Sequence, residues 1–64
     1  MKPAELREMP TPELQDRLEK DRQELFNLRF QATTQQLESP SRIRELRRNI
    51  ARILTILSQR GVPV

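Results

Sequence analysis

Residues 43–57 read IRELRRNIARILTIL, and the spacing of their apolar side chains predicts an amphipathic α-helix. These side chains recur at steps of three and four residues, which places them along one side of a helix. The stripe comprises Ile43, Leu46, Ile50, Ile53 and Leu57, and Leu54 widens it. Because no step is broken, this helix is the firmest structural prediction that the sequence offers.

Proline residues predict where the helices begin. Thr11 is suited to the N-cap of one helix and Pro12 to its first position, where the missing N–H needs no partner. Ser39 and Pro40 repeat this arrangement before the helix described above. A short helical turn is also expected over Pro3 to Glu8, ahead of both long helices.

Glycine predicts where the second helix ends. Gly61 can adopt the left-handed conformation that closes a helix, and Arg60 is placed to bind the last carbonyl groups. Together these signals predict helices at about residues 12–36 and 41–60, joined by a loop at about residues 37–41.

The first helix has an apolar stripe of its own, which is less regular. It comprises Leu14, Leu18, Leu25, Leu28 and Ala32, and Asp21 interrupts it. Because the predicted loop is short, the two helices should lie antiparallel with their stripes facing each other. The predicted fold class is all-α: a long antiparallel two-helix hairpin with a short N-terminal helical turn, in a single domain over residues 1–64.

Length and composition limit what kind of protein this can be. Leu, Ile, Val and Phe make up 17 of the 64 residues, enough for a small core but not for a large one. Burial of these side chains roughly balances the entropy lost on folding, so the isolated chain should be marginally stable and gain from a partner.

The residue types that usually perform chemistry are missing. The chain has no Cys, His, Trp or Tyr, and the acids of the first helix are explained by pairing with neighbouring Lys and Arg. We therefore expect no enzymatic activity, cofactor, metal or small-molecule substrate. No apolar run approaches the roughly 20 residues of a membrane span, and a signal-peptide hydrophobic region is absent, so we expect a cytoplasmic protein.

Positive charge is concentrated in the second part of the chain. Residues 1–24 contain five basic and seven acidic residues, a net charge of −2. Residues 25–64 contain seven Arg and two acidic residues, a net charge of +5. Because the Arg guanidinium matches phosphate oxygens well, this half of the chain favours a polyanionic partner.

Four of these arginines should share one side of the second helix. Arg44, Arg48 and Arg52 are spaced four residues apart, an arrangement that disfavours an isolated helix by like-charge repulsion. The helical repeat brings Arg47 and Thr55 to the same side. Glu45, the only acid of this helix, is expected on the opposite side, so these five side chains are candidate RNA contacts. A solvated basic face, relieved by Glu45 or by acids of the first helix, is the alternative.

Two aromatic residues of the first helix lie away from its apolar stripe. Phe26 and Phe30 are one turn apart, on the same side as Leu37. They could pack against the flank or loop of the hairpin, or form an exposed patch that binds a partner. The polar residues interleaved with them are weaker candidate RNA contacts: Asn27, Arg29 and Gln31.

Two segments resemble a known family. LFNLRFQ at residues 25–31 and RIRELRRNIARI at residues 42–53 resemble the bacterial large-subunit ribosomal protein family numbered twenty-nine. The most specific part is RRNIARI at residues 47–53, and the resemblance extends over nearly the whole chain. It implies a two-helix hairpin that binds large-subunit ribosomal RNA in the cytoplasmic ribosome and has no catalytic activity.

The same resemblance implies particular neighbours. They are ribosomal protein number twenty-three and, at the peptide exit tunnel, chaperones or targeting factors that dock nearby. The chain departs from the family pattern at Leu54 and Ile56, where many members place a Lys after an Ala-Arg-hydrophobic string. This exchange replaces a cation with apolar surface, so no RNA contact is assigned to Leu54.

Other functional classes fit the sequence less well. A coiled-coil protein–protein interaction module would use the Ile43 to Leu57 stripe for a second chain, but Asp21 interrupts the matching stripe of the first helix. A helix-turn-helix DNA-binding protein needs a third helix, for which the two long helices leave no residues. A membrane-surface helix would need Lys and aromatic anchors that the second helix lacks.

Overall fold

The computed structural model describes residues 2–33 and 40–63, and these form three helices. They are α1 at Pro3–Glu8, α2 at Thr11–Thr33 and α3 at Pro40–Gln59. No strand occurs within the described ranges, which confirms the all-α fold and the short N-terminal helical turn. The predicted end of the first helix at 34–36, most of the loop and the Ser39 cap lie outside the described residues, as do the side chains of Ala32 and Leu37.

The first long helix begins one residue earlier than predicted, at Thr11. The Leu14 N–H donates to the Pro10 carbonyl at 3.0 Å, so Pro10 takes the capping position that was assigned to Thr11. Thr11 is the first helical residue instead, and its hydroxyl oxygen accepts a hydrogen bond from Arg60. Pro12 still lies in the first turn, where no backbone N–H needs a helical partner. The second helix begins at Pro40, a residue whose fixed φ suits this position.

Three side-chain contacts confirm that α2 and α3 are antiparallel. Arg60 contacts Thr11 at one end of the hairpin, Asn49 contacts Asp21 in the middle, and Arg42 contacts Glu24 towards the loop. As the residue number increases along α2, the number of its partner on α3 decreases. The short helix α1 packs against α3, so α3 is covered from two directions.

The core is built from all three helices. Its fully or almost fully buried members are Leu6 of α1, Leu14 and Leu18 of α2, and Ile53, Ile56 and Leu57 of α3. Ile56 is only 5% exposed, which contradicts the expectation that it adds apolar surface. The reason is α1, which contributes Leu6 to the same cluster and widens the buried side of α3. Within the predicted stripe, Leu46, Ile53 and Leu57 are buried, whereas Ile43, Ile50 and Leu54 are half-buried.

The end of α3 is closed by a glycine in the left-handed conformation. Gly61 has φ +75°, its N–H donates to the Ser58 carbonyl at 3.0 Å, and the Val62 N–H donates to the Leu57 carbonyl at 2.9 Å. This pair of hydrogen bonds is the Schellman motif, and it turns Val62 back onto the core. The predicted stop at Gly61 is confirmed.

Arg60 was predicted to bind the last carbonyl groups of α3, and this prediction is wrong. Its guanidinium donates to the Arg7 carbonyl at 2.9 Å and to the Met9 carbonyl at 2.8 Å. The Schellman hydrogen bonds already use the carbonyls at the end of the helix, so the guanidinium is free to reach the α1–α2 connection. Arg60 thus ties the end of α3 to the residues that orient α1.

Candidate nucleic-acid interface

The exposed side of α3 carries four arginines, which we call the basic face: Arg44, Arg47, Arg48 and Arg52. All four are exposed. Within the described part of the chain, Arg44, Arg47 and Arg48 have no hydrogen bond or ion pair. These three arginines therefore present guanidinium groups whose donors are available to an external acceptor.

The acids that could have neutralised this face bind a different arginine. Arg42 Nε donates to Glu24 Oε2 at 2.6 Å, and Arg42 Nη1 lies 3.4 Å from Glu45 Oε2. The hydrogen bond from Arg42 lowers the pKa of Glu24, and the same contact raises the pKa of Arg42. Glu45 lines the same side as Arg44 and not the opposite side, which corrects its predicted position, but its carboxylate is directed to Arg42.

An open groove of about 590 Å³ runs between α1 and the basic face. The basic side chains along it are Lys2, Arg44, Arg48 and Arg52, and the acids are Glu5 and Glu45. A smaller depression of about 280 Å³ on the other side of α1 brings Arg7 close to Arg52 and Thr55. The packing of α1 on α3 thus adds Lys2 and Arg7 to the predicted interface.

These two α1 residues were not predicted as part of the interface. The sequence contained one usable signal, which is that Leu6 is the only large apolar side chain of a six-residue helix. A lone apolar side chain on a short amphipathic turn must be buried against another element. It does not say which element, so the position of Lys2 and Arg7 beside α3 could not be derived from it.

The other predicted RNA contacts do not lie together on one surface as the four arginines do. Thr55 is exposed beside the basic face, but its hydroxyl donates to the Ala51 carbonyl at 2.9 Å and would have to give up this bond to donate to phosphate. Asn27, Arg29 and Gln31 are all exposed on α2. At about 100° per residue, Arg29 and Asn27 point about 160° apart, so these three do not form one contact surface.

Phe26 and Phe30 form an exposed aromatic patch on α2. Their side chains are 70% and 65% exposed, so neither ring is buried against the flank of the hairpin, and the alternative of packing against the loop falls outside the described residues. Partner binding by this patch stays a prediction.

A buried polar contact lies where the apolar stripe of α2 is interrupted. Asp21 and Asn49 are 3% and 4% exposed, and Asn49 Nδ2 donates to Asp21 Oδ2 at 2.5 Å. Arg17 Nε lies 3.2 Å from Asp21 Oδ1 and forms an ion pair without hydrogen-bond alignment. This cluster faces the interior of the hairpin, so it supports the interface without belonging to it.

Other kinds of site find no support in the described ranges. Residues 2–33 and 40–63 contain no group of three acidic side chains arranged to hold a metal ion. None of the three helices has an apolar stretch of the length needed to cross a bilayer.

Comparison with known proteins places this architecture in a family. The family model described as "Ribosomal L29 protein" matches residues 4–60. The "Large ribosomal subunit protein uL29" of Caldicellulosiruptor bescii is 58% identical over 60 residues, covering 94% of this chain and 83% of the relative. The protein of the same name from Caldanaerobacter subterraneus subsp. tengcongensis is 55% identical over 64 residues, covering 100% of this chain and 97% of the relative. Since the family model and the two relatives match nearly all of the hairpin, the chain belongs to the ribosomal L29 protein family.

Proposed function

We propose that this chain stabilises the large ribosomal subunit by binding large-subunit ribosomal RNA through the basic face of α3. As a member of the L29 family, it is a structural protein of the large ribosomal subunit in the cytoplasm and not an enzyme. The observation that carries the RNA proposal is the exposure of Arg44, Arg47 and Arg48 without an acidic partner in the described residues.

The chemistry of recognition follows from how these arginines are held. They project from a single helix whose opposite side is fixed in the core, so their spacing is set before RNA binds. Each guanidinium can form charge-assisted hydrogen bonds with phosphate oxygens. Because the deep groove of A-form RNA hides the base edges, contacts of this kind read the shape of the folded backbone.

The α1–α3 groove extends this surface. Lys2 stands across the groove from Arg44, Arg48 and Arg52, so phosphates entering there would meet cations on both walls. Glu5 and Glu45 at its edges limit how much negative charge the groove accepts. With cations on both walls and acids at its edges, the groove is suited to one strand of RNA backbone.

The position within the subunit is also part of the proposal. The family resemblance favours a site near the peptide exit tunnel beside ribosomal protein number twenty-three, where chaperones or targeting factors would dock nearby. Cross-linking of purified large subunits, followed by identification of the peptides joined to this chain, tests each neighbour separately.

The salt dependence of RNA binding tests the proposed interface. If about four phosphates are neutralised, log K should fall with log salt at a slope of roughly −3 to −4. The triple variant R44Q/R48Q/R52Q should bind weakly and reduce the magnitude of that slope by about three. Binding of full-length protein to deproteinised large-subunit ribosomal RNA, measured at several salt concentrations, provides both values.

A matched pair of single variants separates the basic face from net charge. Arg48→Gln and Lys20→Gln each remove one exposed positive charge from the middle of a helix, but Lys20 lies on α2 beside Asp16. Only Arg48→Gln should change the slope. Equal effects of the two variants, or binding that does not respond to salt, would rule out the basic face as the RNA site.

The coiled-coil alternative loses its main support. The stripe that a second chain would need is used within the hairpin, because Leu46, Ile53 and Leu57 are each 1% exposed or less. A helical signal that does not change with protein concentration is the expected result for the free chain.

A further inference from the structure

The aromatic patch on α2 comprises the two large apolar side chains that stay mostly exposed in the described part of the chain. Phe26 and Phe30 are 70% and 65% exposed, while Leu14, Leu18 and Leu25 of the same helix are almost fully buried. Their spacing of four residues places the two rings on one side of α2, with Cβ atoms about 5–6 Å apart. The patch is distinct from the basic face, which lies on α3.

The side chains around the patch indicate the charge of its partner. The helical neighbours of Phe26 include Arg22 four residues before and Arg29 three residues after, and both are exposed. Neither arginine has an ion pair or hydrogen bond among the described residues. The other neighbours, Gln23 and Asn27, are uncharged, so no acid adjoins the rings at helical spacing.

We infer that the patch is a second RNA-binding site, where unpaired bases stack on Phe26 and Phe30 while Arg22 and Arg29 bind the adjoining phosphates. Exposed aromatic rings beside unpaired cations match the two parts of a nucleotide, its π-face and its phosphate. A protein partner would favour a continuous apolar area, whereas the helical neighbours of Phe26 other than Phe30 are charged or polar: Arg22, Gln23 and Arg29. This inference rests on the proposed function, because it assigns unpaired bases to the same ribosomal RNA that the basic face binds.

Substitution of both rings tests the inference. F26L/F30L keeps apolar side chains with good helix propensity but removes the flat π-surface, whereas F26Y/F30Y keeps the rings. For the full-length chain on deproteinised large-subunit ribosomal RNA, the Leu variant should bind about tenfold more weakly and the Tyr variant like the wild type. Dimethyl sulfate probing should show unpaired bases protected by the wild type and by the Tyr variant but reactive with the Leu variant.

Salt dependence separates this site from the basic face. Stacking carries no net charge, so the slope of log K against log salt should be the same for F26L/F30L and the wild type, in contrast to R44Q/R48Q/R52Q. Wild-type affinity of the Leu variant would overturn the inference, and loss of a protein cross-link by that variant would assign the patch to a protein. If the wild type does not bind the RNA at all, the proposed function fails together with the inference.

Discussion

The contact between Asp21 and Asn49 is the residue-level feature that most constrains the hairpin. Both side chains are buried, and each would be costly to bury without a partner. A shift of α2 against α3 by one turn would separate them and leave a carboxylate facing apolar side chains. The polar interruption of the α2 stripe, which in the sequence is only an irregularity, therefore specifies the register of α2 against α3.

Replacement of Asp21 alone should destabilise the hairpin more than replacement of both Asp21 and Asn49. Asp21→Leu leaves the buried Asn49 amide without an acceptor and should lower the free energy of unfolding by about 1–3 kcal/mol. In D21L/N49L the Asn49 amide is removed as well, and Arg17, which also loses its ion pair with Asp21, is partly exposed to water, so most of that loss should be recovered. Urea unfolding followed by circular dichroism measures both, with Asp16→Ala on the exposed side of α2 as the control.

The relation between the single and double variants decides the interpretation. Recovery in the double variant indicates that the contact serves register more than stability. If Asp21→Leu alone is as stable as the wild type, Asn49 has another acceptor and the contact does not fix the register.

At the scale of elements, α1 is positioned by few contacts. Leu6 buries its side chain in the core, and Arg60 reaches from the end of α3 to the carbonyls of Arg7 and Met9. A six-residue helix is too short to be stable in water by itself, so these contacts decide whether it forms. The position of Lys2 in the α1–α3 groove therefore depends on Arg60 at the other end of α1.

Loss of the Arg60 side chain should release α1 without unfolding the hairpin. In Arg60→Ala the backbone N–H groups of Leu6 and Met9, which hold α1 together, should exchange with solvent about tenfold faster. The N–H groups in the middle of α2 and α3 should exchange as in the wild type. Hydrogen exchange of the free chain measures this, and Gln59→Ala, an exposed neighbour, is the control.

A uniform increase in exchange over all three helices would contradict this role for Arg60. It would mean that the guanidinium stabilises the whole hairpin and that α1 has no separate opening reaction.

For the whole molecule, the sequence predicts elements better than the contacts between them. Pro12, Pro40 and Gly61 act on the local backbone, so the helix boundaries could be read to within a residue or so where the structure describes them. The docking of α1, the burial of Ile56 and the reach of Arg60 depend on residues distant in sequence, which periodicity along one helix cannot reveal.

The candidate site likewise has a part that the helical repeat predicts and a part that depends on the packing between helices. The four arginines of the basic face follow from the 3.6-residue repeat, and their predicted exposure is confirmed. Lys2 and Arg7 joined them only through the packing of α1, whereas Glu45 lies beside them through the helical repeat itself, three residues before Arg48. Whether these side chains contact RNA stays a prediction.

If RNA binds only the folded hairpin, RNA binding should stabilise the whole chain against unfolding. Only eight apolar side chains are buried in the described part of the chain, and repulsion along the basic face disfavours folding, so the free hairpin should unfold at a modest temperature. A ligand that binds only the folded state at about 100 times its Kd adds about 2.7 kcal/mol, which corresponds to a rise of about 10 °C or more in Tm for a chain of this size. NMR signals of the buried methyl groups of Leu14 and Leu57 follow the protein's unfolding without interference from the RNA.

The size of that rise should depend on the basic face and on salt. R44Q/R48Q/R52Q should raise the Tm of the free chain slightly, because repulsion is relieved, and should gain little from RNA. High salt should remove the RNA-dependent rise from the wild type, since the phosphate contacts that link binding to folding are screened. An unchanged Tm with bound RNA would mean that the unfolded chain binds equally well, and the rigid arrangement of arginines on α3 would then not be what the RNA recognises.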